Sequence, residues 1–160
     1  MENLVSQQVQ ALNRTNPQIE KIASMNGVDE KIIKKLDSAG WASEIKIFLE
    51  ADINKPRLIG NYDKEETIEG NARTVWYHAI NPKEVQIEYL KLLYEKEKLA
   101  SIESVFKEKN LLYKTRRSIQ MNFKEDNQGG PILSDYLIIG QQKMILKDTI
   151  NYKIVAKISY

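Results

Sequence analysis

The chain has 160 residues, with 24 Lys and Arg against 22 Asp and Glu, one His and no Cys. That length suffices for one domain with a sizeable core, and the lack of cysteine excludes disulfide scaffolds and thiolate metal sites. With 42% hydrophobic residues and a net charge of +2, wholesale disorder is excluded, and the longest apolar runs, such as Tyr136–Ile139, fall far short of the roughly 20 residues of a membrane helix.

Val5, Val9 and Leu12 recur at helical spacing and Pro17 closes the run, which predicts a short amphipathic helix over residues 2–14. In residues 18–33, Asn26-Gly27 suits the two positive φ angles of a type I′ turn between short strands. The rival reading is two short helices, with Asn16-Pro17 as cap and first residue and Gly27 as the stop; the hairpin is preferred. Asp37 or Ser38 caps a second helix with Trp41, Ile45, Phe48 and Leu49 on one stripe and Glu44, Lys46 and Glu50 toward water. It ends by Asn54-Lys55-Pro56, because the residue before proline is pushed out of the α region. Residues 57–73, polar and holding Gly60, Gly70 and Asp63-Lys64-Glu65-Glu66, read as a surface connection.

From residue 74 the texture is that of strands. Thr74–Ile80 is β-branched and aromatic and ends at Asn81-Pro82. Val85–Tyr94 and Leu99–Lys109 follow, joined by Glu95–Lys98; one long helix is the alternative, but the apolar residues sit poorly on one helical stripe. Tyr113–Lys124 alternates as a half-buried strand, Asn127–Pro131 is a turn, and Ile132–Leu146 is a strand with Gly140 as a candidate bulge. Ile150–Tyr160 alternates most clearly of all. The predicted fold class is α+β: N-terminal amphipathic helices, with a possible short hairpin, packed on a curved C-terminal antiparallel β-meander of five to six strands. One domain spans 1–160, with a helical cover over 1–56, a connection over 57–73 and the sheet over 74–160.

Searching for chemistry removes more than it nominates. His78 is the single histidine and sits mid-strand; an acid–base enzyme would have to pair it with a nearby carboxylate. There is no Gly-x-Ser-x-Gly elbow and no phosphate-cradling glycine loop. Asp52-Ile53-Asn54 starts like a calcium loop but lacks the glycine and the distal glutamate. Glu65-Glu66, Glu95/Glu97 and Glu125-Asp126 lie in charged, turn-like stretches where water keeps carboxylates ordinary. No catalytic, cofactor-binding or metal-ligating residue is therefore assigned, no cofactor is expected, and the chain is not expected to be an enzyme.

Charge is unevenly spread. Residues 1–70 hold 9 basic and 12 acidic side chains and residues 71–160 hold 15 and 10. Lys107, Lys109, Lys114, Arg116 and Arg117 concentrate on neighbouring strands and form a candidate partner surface; the plainer reading is that they cover the wet face of a sheet and guard its edges. Nucleic acid is not an expected partner, since no recognition helix or RNA-binding signature accompanies them. Trp41, Phe48, Trp76 and Tyr77 are candidates to line an apolar pocket between helix and sheet, against the simpler expectation that such aromatics form the core.

Trp41–Leu58, with the Asn26-Gly27 turn upstream and Asn110–Tyr113 downstream, resembles a group of uncharacterised small lipoproteins of the Bacteroidota cell envelope, in which a tryptophan-led helix ends in Asp-Ile-Asn-Lys-Pro. The resemblance implies a signal peptide and lipidated cysteine upstream, hence a periplasmic or outer-membrane lipoprotein anchored through a lipid that this chain does not carry. Met1–Gln8 taken as a native N-terminus lacks the features of a secretory signal and reads as cytoplasmic. The motif also has a structural reading: Asp52 and Asn54 end the helix through local side-chain hydrogen bonds, and Lys55-Pro56 forces an extended exit. The functional expectation is a non-catalytic envelope domain that binds another envelope protein or acts as a scaffold; the alternative is a carrier of an apolar ligand, such as a lipid or acyl chain, held between helix and sheet.

Overall fold

The computed structural model describes residues 1–160. The chain folds into α1 (Glu2–Thr15), β1 (Gln18–Met25), β2 (Val28–Lys35), α2 (Ser38–Ile45), β3 (Tyr62–Glu69), β4 (Ala72–Ala79), β5 (Ile87–Glu95), β6 (Lys98–Lys109), β7 (Tyr113–Glu125), β8 (Pro131–Met144) and β9 (Ile150–Ser159), with 3₁₀ turns at Lys46–Ala51 and Pro56–Leu58. All nine strands join one antiparallel sheet in the order β2-β1-β9-β8-β7-β6-β5-β4-β3. No helix is long and apolar enough to cross a membrane.

This corrects the expected fold class. The sheet has nine strands rather than five or six, and it is not a C-terminal meander behind an N-terminal helical cover. The β1–β2 hairpin precedes α2, and β1 pairs along its whole length with β9, Gln18 opposite Ser159 and Met25 opposite Tyr152. Asn26 and Gly27, at φ 48° and 86°, make the type I′ turn that such a two-residue hairpin requires. The 57–73 segment is not a surface connection either: it contains β3, whose eight residues pair with β4 from Tyr62–Ala79 to Glu69–Ala72. Its acidic run reads as loop because an edge strand, open to water along one side, needs few apolar residues and is protected from pairing by its charges.

Both helices stop for local reasons. Asn16, left-handed at φ 46°, ends α1 and its N–H bonds Leu12 O. Asp37 caps α2 by accepting from Gly40 N at 2.7 Å. The single long second helix does not form: after Ile45 it tightens into the 3₁₀ turn Lys46–Ala51. There, Asp52 accepts from Asn54 N at 2.9 Å, and Lys55 leaves extended at φ −61°, ψ 137° ahead of Pro56. Trp41, Ile45, Phe48 and Ala51 still point one way, packing with Leu12 of α1 against Ile19, Ile102, Ile119, Met121, Tyr136 and Ala156 on one face of the sheet.

Alternation along the strands is reset at three places. Register shifts leave Glu88 in β5, Ala100 in β6 and Ser134 in β8 without an opposite residue. Each extra residue flips the parity, so that Ile87 and Leu90, Leu99 and Ile102, and Leu133 and Tyr136 share the helix-facing side despite odd spacings. Gly140 is not a bulge. It sits in unbroken ladders opposite Arg117 and Tyr152, and the Tyr152 ring occupies the place its Cβ would take. The glycine is there to let that ring lie flat on the sheet.

Candidate ligand site between the first helix and strands β4 to β6

A slot of about 330 Å³ opens on the helix-facing side. Its floor is built by period two and cross-strand register. Tyr77 of β4 lies opposite Leu90 of β5, Leu92 lies opposite Ile102 of β6, and Tyr94 lies opposite Leu99, which the Ala100 bulge turns inward. The roof comes from Met1, from Leu4 of α1 and from Ile53 after the 3₁₀ turn. Nine of the ten lining residues are hydrophobic, the exception being Asn54. The volume equals about ten waters and falls at the low end of small-molecule pockets. At one side the Arg73 guanidinium lies 4.1 Å over the Tyr94 ring and reaches Glu66 and Glu97 at 3.5 and 3.3 Å, so the apolar floor ends at a charged rim. Near the roof, buried Asp52 lies 3.7 Å from the Met1 ammonium.

Of the four aromatics expected to line a pocket, Tyr77 alone does. Trp41 and Phe48 are fully buried core, Phe48 meeting Tyr136 edge-on at 5.2 Å. Trp76 adjoins Tyr77 in β4 and so faces the opposite side of the sheet, where it stacks on His78 at 5.1 Å and lies 5.4 Å from Tyr89. His78 is half exposed, and its nearest carboxylate, the exposed Glu65, is 3.8 Å away. Leu90, Leu92, Tyr94, Leu99 and Ile102 were not singled out by sequence reasoning; the alternation of Leu90, Leu92 and Tyr94 was the available signal for the floor, whereas Leu99 depends on the bulge.

The basic cluster also divides. Lys107 lies opposite Arg116 and Lys109 opposite Lys114, all on the far side from the helices. Lys107 and Arg116 converge on Glu88 at 3.2 and 3.0 Å. Partial burial raises the Glu88 carboxyl, but the hydrogen bonds from Arg116 and Lys107 outweigh it and hold the group below its ordinary value. Arg117 instead faces the helices, bonding Tyr152 Oη at 2.8 Å and the Glu50 carboxylate. The five residues therefore do not form one surface.

On the other flank of the core, Tyr136 donates to Glu44, which also takes Lys21 Nζ at 2.7 and 2.9 Å. Burial, reinforced by the Glu44 carboxylate, pushes the Tyr136 phenol well above its ordinary value, and burial raises Tyr160 as well. Tyr62 and Tyr89 are pushed up to about 12, again first by burial. In the unfolded chain tyrosines ionise near 10. Above that pH the unfolded state binds fewer protons than the folded one, so stability that is complete below pH 10 drains away as pH rises through the folded values. Urea unfolding is expected to give equal stability at pH 8 and 9 and a falling one from pH 10 to 11, with Tyr136→Phe flattening the slope; an unchanged slope in that variant would remove Tyr136 from the account.

Comparison with family models, curated proteins and solved structures returns no match.

Proposed function

We propose that this chain is a non-catalytic binding domain that holds an apolar, chain-like molecule, such as an acyl chain, in the slot between α1 and strands β4–β6. The observation that carries this reading is the slot itself: a space of about 330 Å³ walled by nine hydrophobic residues with a single polar one, whose side chains a hydrocarbon contacts more favourably than water does. The cell-envelope setting rests on the resemblance carried by Trp41–Leu58. Non-catalytic action is supported by the exposed, stacked position of His78, away from the slot on the opposite face of the sheet.

Titration with a fluorescent fatty acid tests this. Leu92 is half-buried on the slot floor, so Leu92→Trp fills the slot with little disturbance of the core and is expected to weaken binding at least tenfold. Ile139→Trp, on an exposed position of the sheet, should leave binding as it was. No binding by the unaltered protein at saturating probe, or equal binding by Leu92→Trp, would overturn the proposal.

A further inference from the structure

Apart from the polar β4–β5 turn at Asn81–Glu84, the turns at the two ends of the sheet differ sharply. One end carries Gly70-Asn71, Lys96-Glu97 and Asp126–Gly130, all polar or glycine. At the other, the β6–β7 turn exposes Leu111 and Leu112, the β8–β9 turn exposes Ile145 and Leu146, and Met25 and Val28 flank the β1–β2 turn with their side chains in water. The β6–β7 and β8–β9 turns form one unit, because Ile145 N donates to Leu112 O at 3.0 Å. Leu111 is 90% exposed and Leu146 100%.

Two features of this tip run against stability. Leu146 holds φ at 59°, a left-handed conformation that a leucine adopts at a cost and that glycine would relieve. Lysines also stand side by side behind it: Lys109 is opposite Lys114 and Lys114 is opposite Lys143, an arrangement that destabilises a sheet. None of these three, nor Lys147 in the turn itself, has an ion-pair partner. Apolar side chains at the extremity with unpaired ammonium groups one layer back match the layering of a bilayer surface, where leucines enter the acyl boundary and lysines reach lipid phosphates.

We propose that the paired tips Leu111-Leu112 and Ile145-Leu146 dock this protein on a lipid surface bearing anionic headgroups, with Lys109, Lys114, Lys143 and Lys147 supplying the electrostatic attraction. The tip is separate from the apolar slot: six residues of β6 lie between Ile102, the slot residue of that strand nearest the tip, and Lys109, a span of about 23 Å. Docking therefore stands whether or not the slot binds a ligand.

Co-sedimentation of the full chain with vesicles tests the assignment. Binding to vesicles of phosphatidylcholine with 30% phosphatidylglycerol is expected, with at least tenfold weaker binding to phosphatidylcholine alone and marked weakening in 0.5 M salt. Leu111→Asp combined with Leu146→Asp should abolish it, Lys114→Gln with Lys143→Gln should reduce it and blunt its salt dependence, and Gln128→Asp at the opposite end should change nothing. Leu146→Gly separates function from folding, because it should raise the thermal midpoint by about 2–4 °C while weakening vesicle binding. Failure of the unaltered protein to bind anionic vesicles, or retained binding by the double aspartate variant, would overturn the proposal. So would tip variants that lose a protein partner from native membranes yet bind vesicles normally.

Discussion

Trp41→Ala is expected to lower the unfolding free energy by about 3–5 kcal/mol, the range for emptying a large aromatic site in a packed core. Trp41 is wholly buried and is the largest of the fully buried side chains, placed where α2 meets α1 and the sheet. Neither helix can close over that space, because Leu12, Ile45 and Phe48 are themselves locked between helix and strand. Trp41→Phe is expected to cost less than half as much. The indole Nε1 is buried without a hydrogen-bond acceptor, so phenylalanine sacrifices volume but also removes an orphaned donor whose desolvation costs about 1–3 kcal/mol. Urea unfolding followed by far-ultraviolet circular dichroism measures both. Equal losses in the two variants would show that the volume filled at this site does not govern its stability and would overturn this account.

Gln8→Ala is expected to cost about 2–4 kcal/mol, far more than an ordinary helix-surface substitution, since two backbone groups lose their partners at once. The ladder between β8 and β9 begins only at Asp135, and the polar groups left over at the start of β8 are taken by side chains. Gln8, buried in α1, donates to Pro131 O at 2.8 Å and accepts from Leu133 N at 2.8 Å, while Tyr160 Oη donates to Leu133 O at 2.5 Å. The amide thus stands in for a strand, and it holds α1 to the sheet beside the Ser134 bulge. Gln8→Leu, similar in size but without polar atoms, should be as harmful as alanine. Gln8→Glu makes a sharper test. Its ionised carboxylate faces Pro131 O without a proton to donate, whereas the protonated acid restores both bonds. Burial against a carbonyl raises the carboxyl in the folded state, so the variant's stability is retained at low pH and lost as pH rises. A Gln8→Glu stability that tracks the unaltered protein from pH 4 to 8 would refute the bridging role, as would unchanged hydrogen exchange at the Leu133 amide in Gln8→Ala.

Most strands were legible because alternation survives over long stretches. In β9 the buried Ala156 and Ile158 alternate with exposed Lys157 and Ser159, and a reader of residues sees the same period. The same period separates Trp76 from Tyr77 and Arg116 from Arg117, which as sequence neighbours on strands cannot share a face. Other features lay beyond local reading. β3 lacks an apolar stripe because it needs none at the edge. The bulges at Glu88, Ala100 and Ser134 exist only relative to a partner strand, so residues such as Leu99 give no sign of which side they join. The slot draws on α1, the Ile53 segment and three strands, and nothing in any one of these announces the others.

The sequence by itself determined the types of most elements, the Asn26-Gly27 turn, a cap at Asp37 or Ser38 and the exit at Asp52–Pro56, because each depends on interactions within a few residues. It also determined what chemistry is missing, since an absent thiol or second imidazole needs no fold to be absent. Tertiary structure decided the rest: that β1 closes onto β9 more than 125 positions away, and that every exposed leucine turn comes to one end of the sheet. Those outcomes depend on burying the central part of one sheet face beneath two helices, and that balance of area and register is a property of the assembled chain rather than of any segment in it.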